Sequence, residues 1–333
     1  MTTTLPLVRA GAIRPLLAWL RAQGDAVEAR LRAAGLPPDL IAQPGRPIGL
    51  RAGVRLLVAA ARTRGPDLPW RVVDDSAAFD LGLLGAAMLQ AATPREALGR
   101  AARAMSLHGS HETLSLSRAP GGSVVRYVFH APLDEEGLHL CQQYVAALVR
   151  SVTAGLAARG PRVSEIRMRP HPVHGLAHLE PHCRATLVAN LGPAVELVLP
   201  DATLDAAYAR AHRPTDPAPT QVEPALIRGD GTLAGSIRAI LPGLLEGGDC
   251  TTATLADLAF MSTRTLQRRL AAEGVHVSGL IDEARRELAL RRLAASAAPI
   301  EEISVQLGYG SASSFTRAVR RWTGRPPRAM RRS

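Results

Sequence analysis

The sequence predicts two domains of different class: an α+β N-terminal domain, then an all-α C-terminal domain with two helix-turn-helix units. Three observations carry this. Apolar residues recur at helical spacing towards both ends but alternate with polar ones in a central stretch. A proline-rich segment separates the two parts. Near the C-terminus one pattern occurs twice: a short apolar helix, a tight turn, and a second helix with one apolar and one arginine-bearing face. The boundaries read as 1–212, a linker at 213–230, and 231–333. A chain of 333 residues is long enough for two cores.

Residues 5–107 read as mostly helical. Leu16, Leu17 and Leu20 share a face, and Gly35 with Pro37 and Pro38 ends a second helix after Leu31. Further helices are expected over 49–64 and 93–107. Thr93 suits an N-cap there, with Pro94 in the first helical position and Glu96 as capping-box partner. The period then changes. His111–Arg118 alternates, Pro120-Gly121-Gly122 turns, and Ser123–His130 is rich in strand formers, which together predict a hairpin. A long helix is expected over 134–159, then strands near 163–168 and 194–199. Arg213–Pro224 holds four prolines and no periodic apolar face, so it reads as an extended linker. A helix over 232–245 leads into the last region.

The formal charge is +11, and all 40 basic residues are arginine. From Thr251 to the end, 14 arginines face 7 acids, a balance of +7 that leaves +4 for the first 250 residues. Such asymmetry points to a C-terminal region that binds a polyanion. Each arginine can make planar, two-pronged contacts to phosphate or guanine. Cys141, Cys183 and Cys250 are scattered and odd in number, so no disulfide framework is implied. The start lacks a signal-peptide pattern, and the apolar stretch around 81–92 is too short to span a bilayer. A cytoplasmic protein with no membrane partner is expected.

In the first unit Thr254 is expected to cap a helix bearing Leu255, Leu258 and Ala259, and Ser262 to cap the next. There Leu266 and Leu270 face inward, while Arg264, Gln267 and Arg268 share the opposite side by i, i+3 and i+4 spacing. Arginine matches guanine and glutamine matches adenine in the major groove. In the second unit Ile300, Ile303 and Leu307 are apolar, Gly308 closes one helix and Ser311 opens the next. Phe315, Val319 and Trp322 form its apolar stripe; Ser313, Arg317 and Arg320 project opposite. A helix over 280–295 is expected to hold the units at fixed separation. Two reading helices suggest that the chain engages two major grooves.

Residues 231–333 resemble the AraC/XylS family of bacterial transcription regulators. Ser262, Leu266, Gln267, Arg268 and Leu270 carry the likeness in the first unit. Ile303, Leu307-Gly308-Tyr309, Ser311, Phe315, Arg317, Arg321-Trp322, Gly324, Pro327 and Arg331 carry it in the second. The resemblance implies base contacts from Arg264, Gln267 and Arg268 in one groove, and from Ala312, Ser313 and Arg317 in the next; Thr265 and Arg320 are expected to belong to the DNA-binding surface as well. Ala312 and Ser313 are shorter than the family's usual residues there, so the second unit is expected to position the protein more than to specify sequence. The N-terminal part is similar to the OruR/VirS-like subgroup, through Leu81–Gly85, Ala92–Leu98, and Ala194–Leu199 with Leu204. That resemblance implies a small-molecule sensor and dimerisation domain distinct from the arabinose-binding cupin. It implies as partners double-stranded promoter DNA, RNA polymerase, an unidentified small-molecule effector and a second copy of the chain. An activator is expected.

The competing chemistry is weak. The stretch His171–Cys183 holds imidazoles and a thiol suited to a late transition metal, but prolines and a glycine break any regular ligand geometry. It reads as a polar loop, with no metal or cofactor expected. No GxSxG elbow, Walker loop or dinucleotide fingerprint is present, and Asp134–Glu136 reads as a helix N-terminus, so no catalytic residue and no enzyme is expected. A repair enzyme borrowing this DNA module would need a cysteine cluster that the chain lacks. A constitutive regulator whose N-terminal domain only dimerises stays open.

Overall fold

The computed structural model describes residues 4–154, 156, 163–208, 226–227, 229–248, 250–295 and 298–330. The expected linker lies largely outside them. Among the described residues seven strands are assigned: β1 (Leu7–Arg9), β2 (Pro47–Gly49), β3 (Glu112–Ala119), β4 (Gly122–Phe129), β5 (Glu165–Met168), β6 (Thr186–Ala189) and β7 (Ala194–Leu199). The N-terminal helices are α1 (Arg14–Ala22), α2 (Val27–Ala33), α3 (Leu50–Arg64), α4 (Leu68–Arg71), α5 (Leu83–Met88), α6 (Pro94–His108), α7 (Glu135–Val152) and α8 (Asp201–Leu204). Then follow α9 (Leu233–Gly247), α10 (Thr252–Leu258), α11 (Thr263–Ala272), α12 (Val277–Ala295), α13 (Ile300–Gln306), α14 (Ala312–Thr323) and α15 (Pro327–Met330). Among the described residues, sheet and helices mix up to residue 208 and helices alone follow it, so the α+β and all-α reading holds.

The central hairpin forms as its alternation predicts: Leu114 pairs with Tyr127 and Leu116 with Val125. It continues into a five-stranded sheet of order β3-β4-β7-β5-β6, antiparallel except for the β5–β6 pair. The side chains of Val125, Tyr127, Val195, Leu197 and Ile166 are buried between the sheet and the helices. Against it lies α7, capped by Asp134, whose carboxylate accepts the Gly137 N–H at 2.7 Å. The acidic run 134–136 is therefore a helix start, which suits the helix dipole.

Several expectations change. The assigned part of α7 ends at Val152, and 157–159 lie outside the described residues. The first hundred residues are mostly helical as expected, with one addition: β1 and β2 pair antiparallel, joining Leu7 to Gly49. Three-residue strands give too little alternation to be read from sequence. β6 was likewise not expected; its Thr186–Ala189 is short and its neighbour in the sheet lies parallel. Thr93 caps α6 as expected, but Glu96 reaches the Ala92 N–H rather than that of Thr93.

The C-terminal helices pack directly on the N-terminal domain. α9 lies against β2, and α10 against α3. The Leu5 N–H donates to Ser236 Oγ at 3.0 Å, and the Ile227 N–H to the Ser106 carbonyl at 3.1 Å. Among the described residues no helix is long and apolar enough to cross a membrane.

Candidate nucleic-acid interface and effector cavity

Both helix-turn-helix units form, and hydroxyl caps start their second helices. Ser262 Oγ accepts the Thr265 N–H at 3.2 Å, and Ser311 Oγ accepts the Ser314 N–H at 3.1 Å. The first helix of the first unit is capped one turn earlier than expected, by Thr251 rather than Thr254: Thr251 Oγ1 accepts the Thr254 N–H at 3.0 Å. Either threonine can cap by chemistry. The earlier one wins because the added turn lets Leu255, Ala256 and Leu258 all reach the core.

α11 divides as its spacing predicts. Leu266 and Leu270 are fully buried, Arg264, Gln267 and Arg268 are exposed, and Thr265 is half-buried. On α14, Phe315 and Val319 are fully buried, Ser313, Arg317 and Arg320 are exposed, and Ala312 is half-buried. Trp322 is only partly buried; its indole N–H donates to Asp282 on α12 at 3.0 Å. Between the units α12 runs 19 residues, about 28 Å at helical rise. Leu280, Ala284, Leu288, Ala289 and Leu293 give it a buried stripe.

Some of the domain's arginines are paired with acids. Arg321 pairs with Asp282 at 2.7 Å, Arg292 with Glu246 at 3.3 Å and Arg238 with Glu283 at 3.1 Å. Among the described residues Arg264, Arg268 and Arg320 have no acidic partner, and Arg317 makes only a 3.4 Å contact to Ser314 Oγ. Arg264, Arg268, Arg317 and Arg320 are thus exposed cations that an external anion can reach.

The turn of the first unit touches the N-terminal domain. Phe260 has φ 55°, the left-handed region, where the second unit has Gly308 at φ 74°. A side chain there costs about 1–2 kcal/mol. Neighbouring contacts hold it: the Arg51 guanidinium lies 4.6 Å from the Phe260 ring centre. Arg51 also donates to the Asp257 carbonyl at 2.8 Å and lies 3.3 Å from its carboxylate, which Arg55 also contacts. A second ion pair joins Arg46 to Glu246. Arg51 and Arg55 are both on α3, and both were missed in the sequence because only docking gives them partners.

The other side of α3 lines a cavity of about 80 Å³ in the N-terminal domain. Its wall includes Ile13, Leu50, Val54, Leu57, Phe129 and Leu148, and is almost wholly apolar. Glu112 and His108 are the buried ionisable exceptions, beside the thiol of Cys141 and the hydroxyls of Tyr127 and Tyr144. Burial raises the Glu112 carboxyl to about 7, against a hydrogen bond from Tyr127 that lowers it. Burial, with a smaller contribution from Arg9, depresses the His108 imidazole to about 4. Burial also pushes the Cys141 thiol far up, leaving it protonated.

The histidine stretch folds into a knot with one residue that sequence reading left out. His139 of α7 donates to or accepts from its neighbours on both sides: Nδ1 lies 2.6 Å from the Arg169 carbonyl, Nε2 3.2 Å from His178 Nε2. His171 Nδ1 accepts the N–H groups of Val173 and His174, at 3.1 and 3.2 Å. Burial lowers the pKa of His139 to about 4, and also lowers those of His171 and His178. Among the described residues no group of three or more His, Cys, Asp or Glu side chains is arranged to hold a metal ion.

Over 315 residues the chain is 30% identical to the HTH-type transcriptional regulator VirS of Mycobacterium tuberculosis, covering 90% of this chain and 89% of VirS. It belongs to the AraC family of transcriptional regulators. Residues 255–333 match the family described as a helix-turn-helix domain, and residues 24–185 that described as the arabinose-binding domain of AraC transcription regulator, N-terminal. VqsM, an HTH-type transcriptional regulator of Pseudomonas aeruginosa, is 42% identical over 80 residues, 24% of this chain and 25% of VqsM. The crystal structure of the transcriptional regulator CdpR from Pseudomonas aeruginosa aligns over 96% of this chain and 97% of its own at 22% identity, with a TM-score of 0.40. The chain is thus a DNA-binding transcriptional regulator with a ligand-binding type of N-terminal domain.

Proposed function

We propose that this regulator activates transcription in response to a small-molecule effector held in the N-terminal cavity, reading promoter DNA as a homodimer and contacting RNA polymerase. Residues 1–212 are the sensing and dimerising part, 213–230 the linker, and 231–333 the DNA-binding part. α11 enters one major groove with Arg264, Thr265, Gln267 and Arg268. α14 enters the next with Ala312, Ser313, Arg317 and Arg320. Arg268 and Gln267 discriminate bases, while Arg317 and Arg320 chiefly grip phosphate. The observation that carries this reading is the repeated division of the two helices: Leu266 and Leu270 on α11, and Phe315 and Val319 on α14, are fully buried, while Arg264, Gln267 and Arg268, and Ser313, Arg317 and Arg320, are exposed on the opposite faces.

Effector response is supported by α3. It presents Leu50, Val54 and Leu57 to the cavity and Arg51 and Arg55 to Asp257 of the first unit. A ligand that shifts α3 alters the grip on α10, and coupling of this kind is typically worth about 1–3 kcal/mol. The test is a titration of fluorescent operator DNA in the presence of a metabolite panel, with wild type and a Leu57→Trp variant that fills the cavity. A compound that shifts the wild-type midpoint roughly 5- to 150-fold but leaves the variant unmoved supports the reading. No shift with any compound favours a constitutive regulator whose N-terminal domain only dimerises.

A further inference from the structure

The cavity wall has very little hydrogen-bonding capacity. The Tyr144 hydroxyl donates to the Ala12 carbonyl at 2.9 Å, and the Tyr127 hydroxyl hydrogen-bonds Glu112. Two polar atoms remain without a partner: Glu112 Oε2 and His108 Nδ1, on side chains only 6% and 5% exposed. They flank the junction of α6 and β3. Gly109 follows His108, and a Cβ there would lie 2.1 Å from Glu112 Oε2, so glycine makes the room the carboxylate occupies. Arg9, the nearest buried cation from β1, directs its guanidinium to the Leu107 and Gly45 carbonyls. The rest of the lining is hydrocarbon and thiol.

A sugar needs donors and acceptors around its whole rim, which this wall does not offer. An anion would meet a carboxylate in an apolar enclosure. The complement of a carboxylate oxygen is a group that donates, and one that brings positive charge makes up for the missing counter-ion.

We infer that the cavity binds a small amine, with an apolar body packed among the leucines and a protonated nitrogen donating to Glu112. This rests on the reading of the cavity as the effector site and names its ligand class. A water needs about 10–15 Å³ on the scale that gives this cavity about 80 Å³. The ligand that fits without rearrangement therefore has on the order of six or seven non-hydrogen atoms.

Calorimetric titration of the full chain with isopentylamine, isopentanol and isovalerate tests this, because the three share a body and differ in the head group. The amine is expected to bind about tenfold or more tighter than the alcohol, and isovalerate weakest of all. Glu112→Gln should lower amine affinity by about tenfold or more while alcohol affinity stays within about threefold, which also shows that the variant is folded. If that variant fails to fold, Glu112→Asp, which withdraws the charge by one methylene, must still weaken the amine selectively. Alcohol binding as tight as amine, or amine binding indifferent to Glu112, overturns the amine assignment and leaves the effector site standing. Binding of none of the three overturns both.

Discussion

Arg268→Ala is the most informative single substitution in the DNA-binding domain. Arg268 is exposed on α11, one turn from Arg264 and beside Gln267, while Leu266 and Leu270 fix the opposite side of the helix in the core. It has no acidic partner among the described residues, so its removal leaves no buried charge and the thermal midpoint should move by no more than a degree or two. On DNA the effect is local. A two-pronged contact to guanine is worth about 1–3 kcal/mol, roughly 5- to 150-fold, and is lost only where that base is present. A contact to phosphate instead weakens every sequence equally and lowers the slope of log affinity against log salt by about 0.9. Fluorescence anisotropy on an operator and its single-base variants, each at several salt concentrations, separates the two. The expected result is that one base position stops mattering while the others keep their rank. Equal loss on all variants, with the slope reduced, would refute base reading by Arg268.

Two further outcomes follow from the same geometry. Asp257→Ala removes the carboxylate that pairs with both Arg51 and Arg55, and leaves the backbone carbonyl that accepts from Arg51. The pairs are one-third to one-half exposed, so the loss is about 0.5–2 kcal/mol in all; effector and DNA binding should then become less coupled, with hydrogen exchange rising in α10, and unchanged exchange there would contradict the role given to this contact. Glu112 and His108 make stability depend on pH in opposite senses. A raised carboxyl favours folding below its unfolded value of 4.5 and loses that advantage as pH rises towards 7, whereas the depressed imidazole costs stability as pH falls from 6.5 towards 4. Glu112→Gln should therefore be more stable than wild type by a few kcal/mol at pH 8 and indistinguishable from it near pH 4.5; denaturant titrations giving the same difference at both pH values would show that Glu112 is not strained by burial.

How far the sequence reveals all this depends on how local each signal is. The caps at Ser262 and Ser311, the hairpin centred on Gly121, and the split of α11 into Leu266 and Leu270 against Arg264 and Arg268 are set by neighbours within one or two turns. They were legible. The β1–β2 pair joins segments some forty residues apart through three residues each, too few for a period to show. The cavity draws on β1, α1, α3, α6, the hairpin and α7, so no stretch of sequence announces it. Glu112 in particular reads as an ordinary polar position in an alternating strand, and only the fold places it inside. Asp257 reads as a helix residue near an expected cap; docking of α10 on α3 makes it the acceptor for two arginines.

The central claim is that α11 and α14 read DNA together, in successive major grooves on one face of the duplex. Hydroxyl-radical footprinting of the full chain on an operator tests it most directly. Each bound copy should protect two patches about 10–10.5 base pairs apart, with Arg268→Ala weakening one patch and Arg317→Ala the other. A single patch, or two that respond alike to both substitutions, would contradict the account.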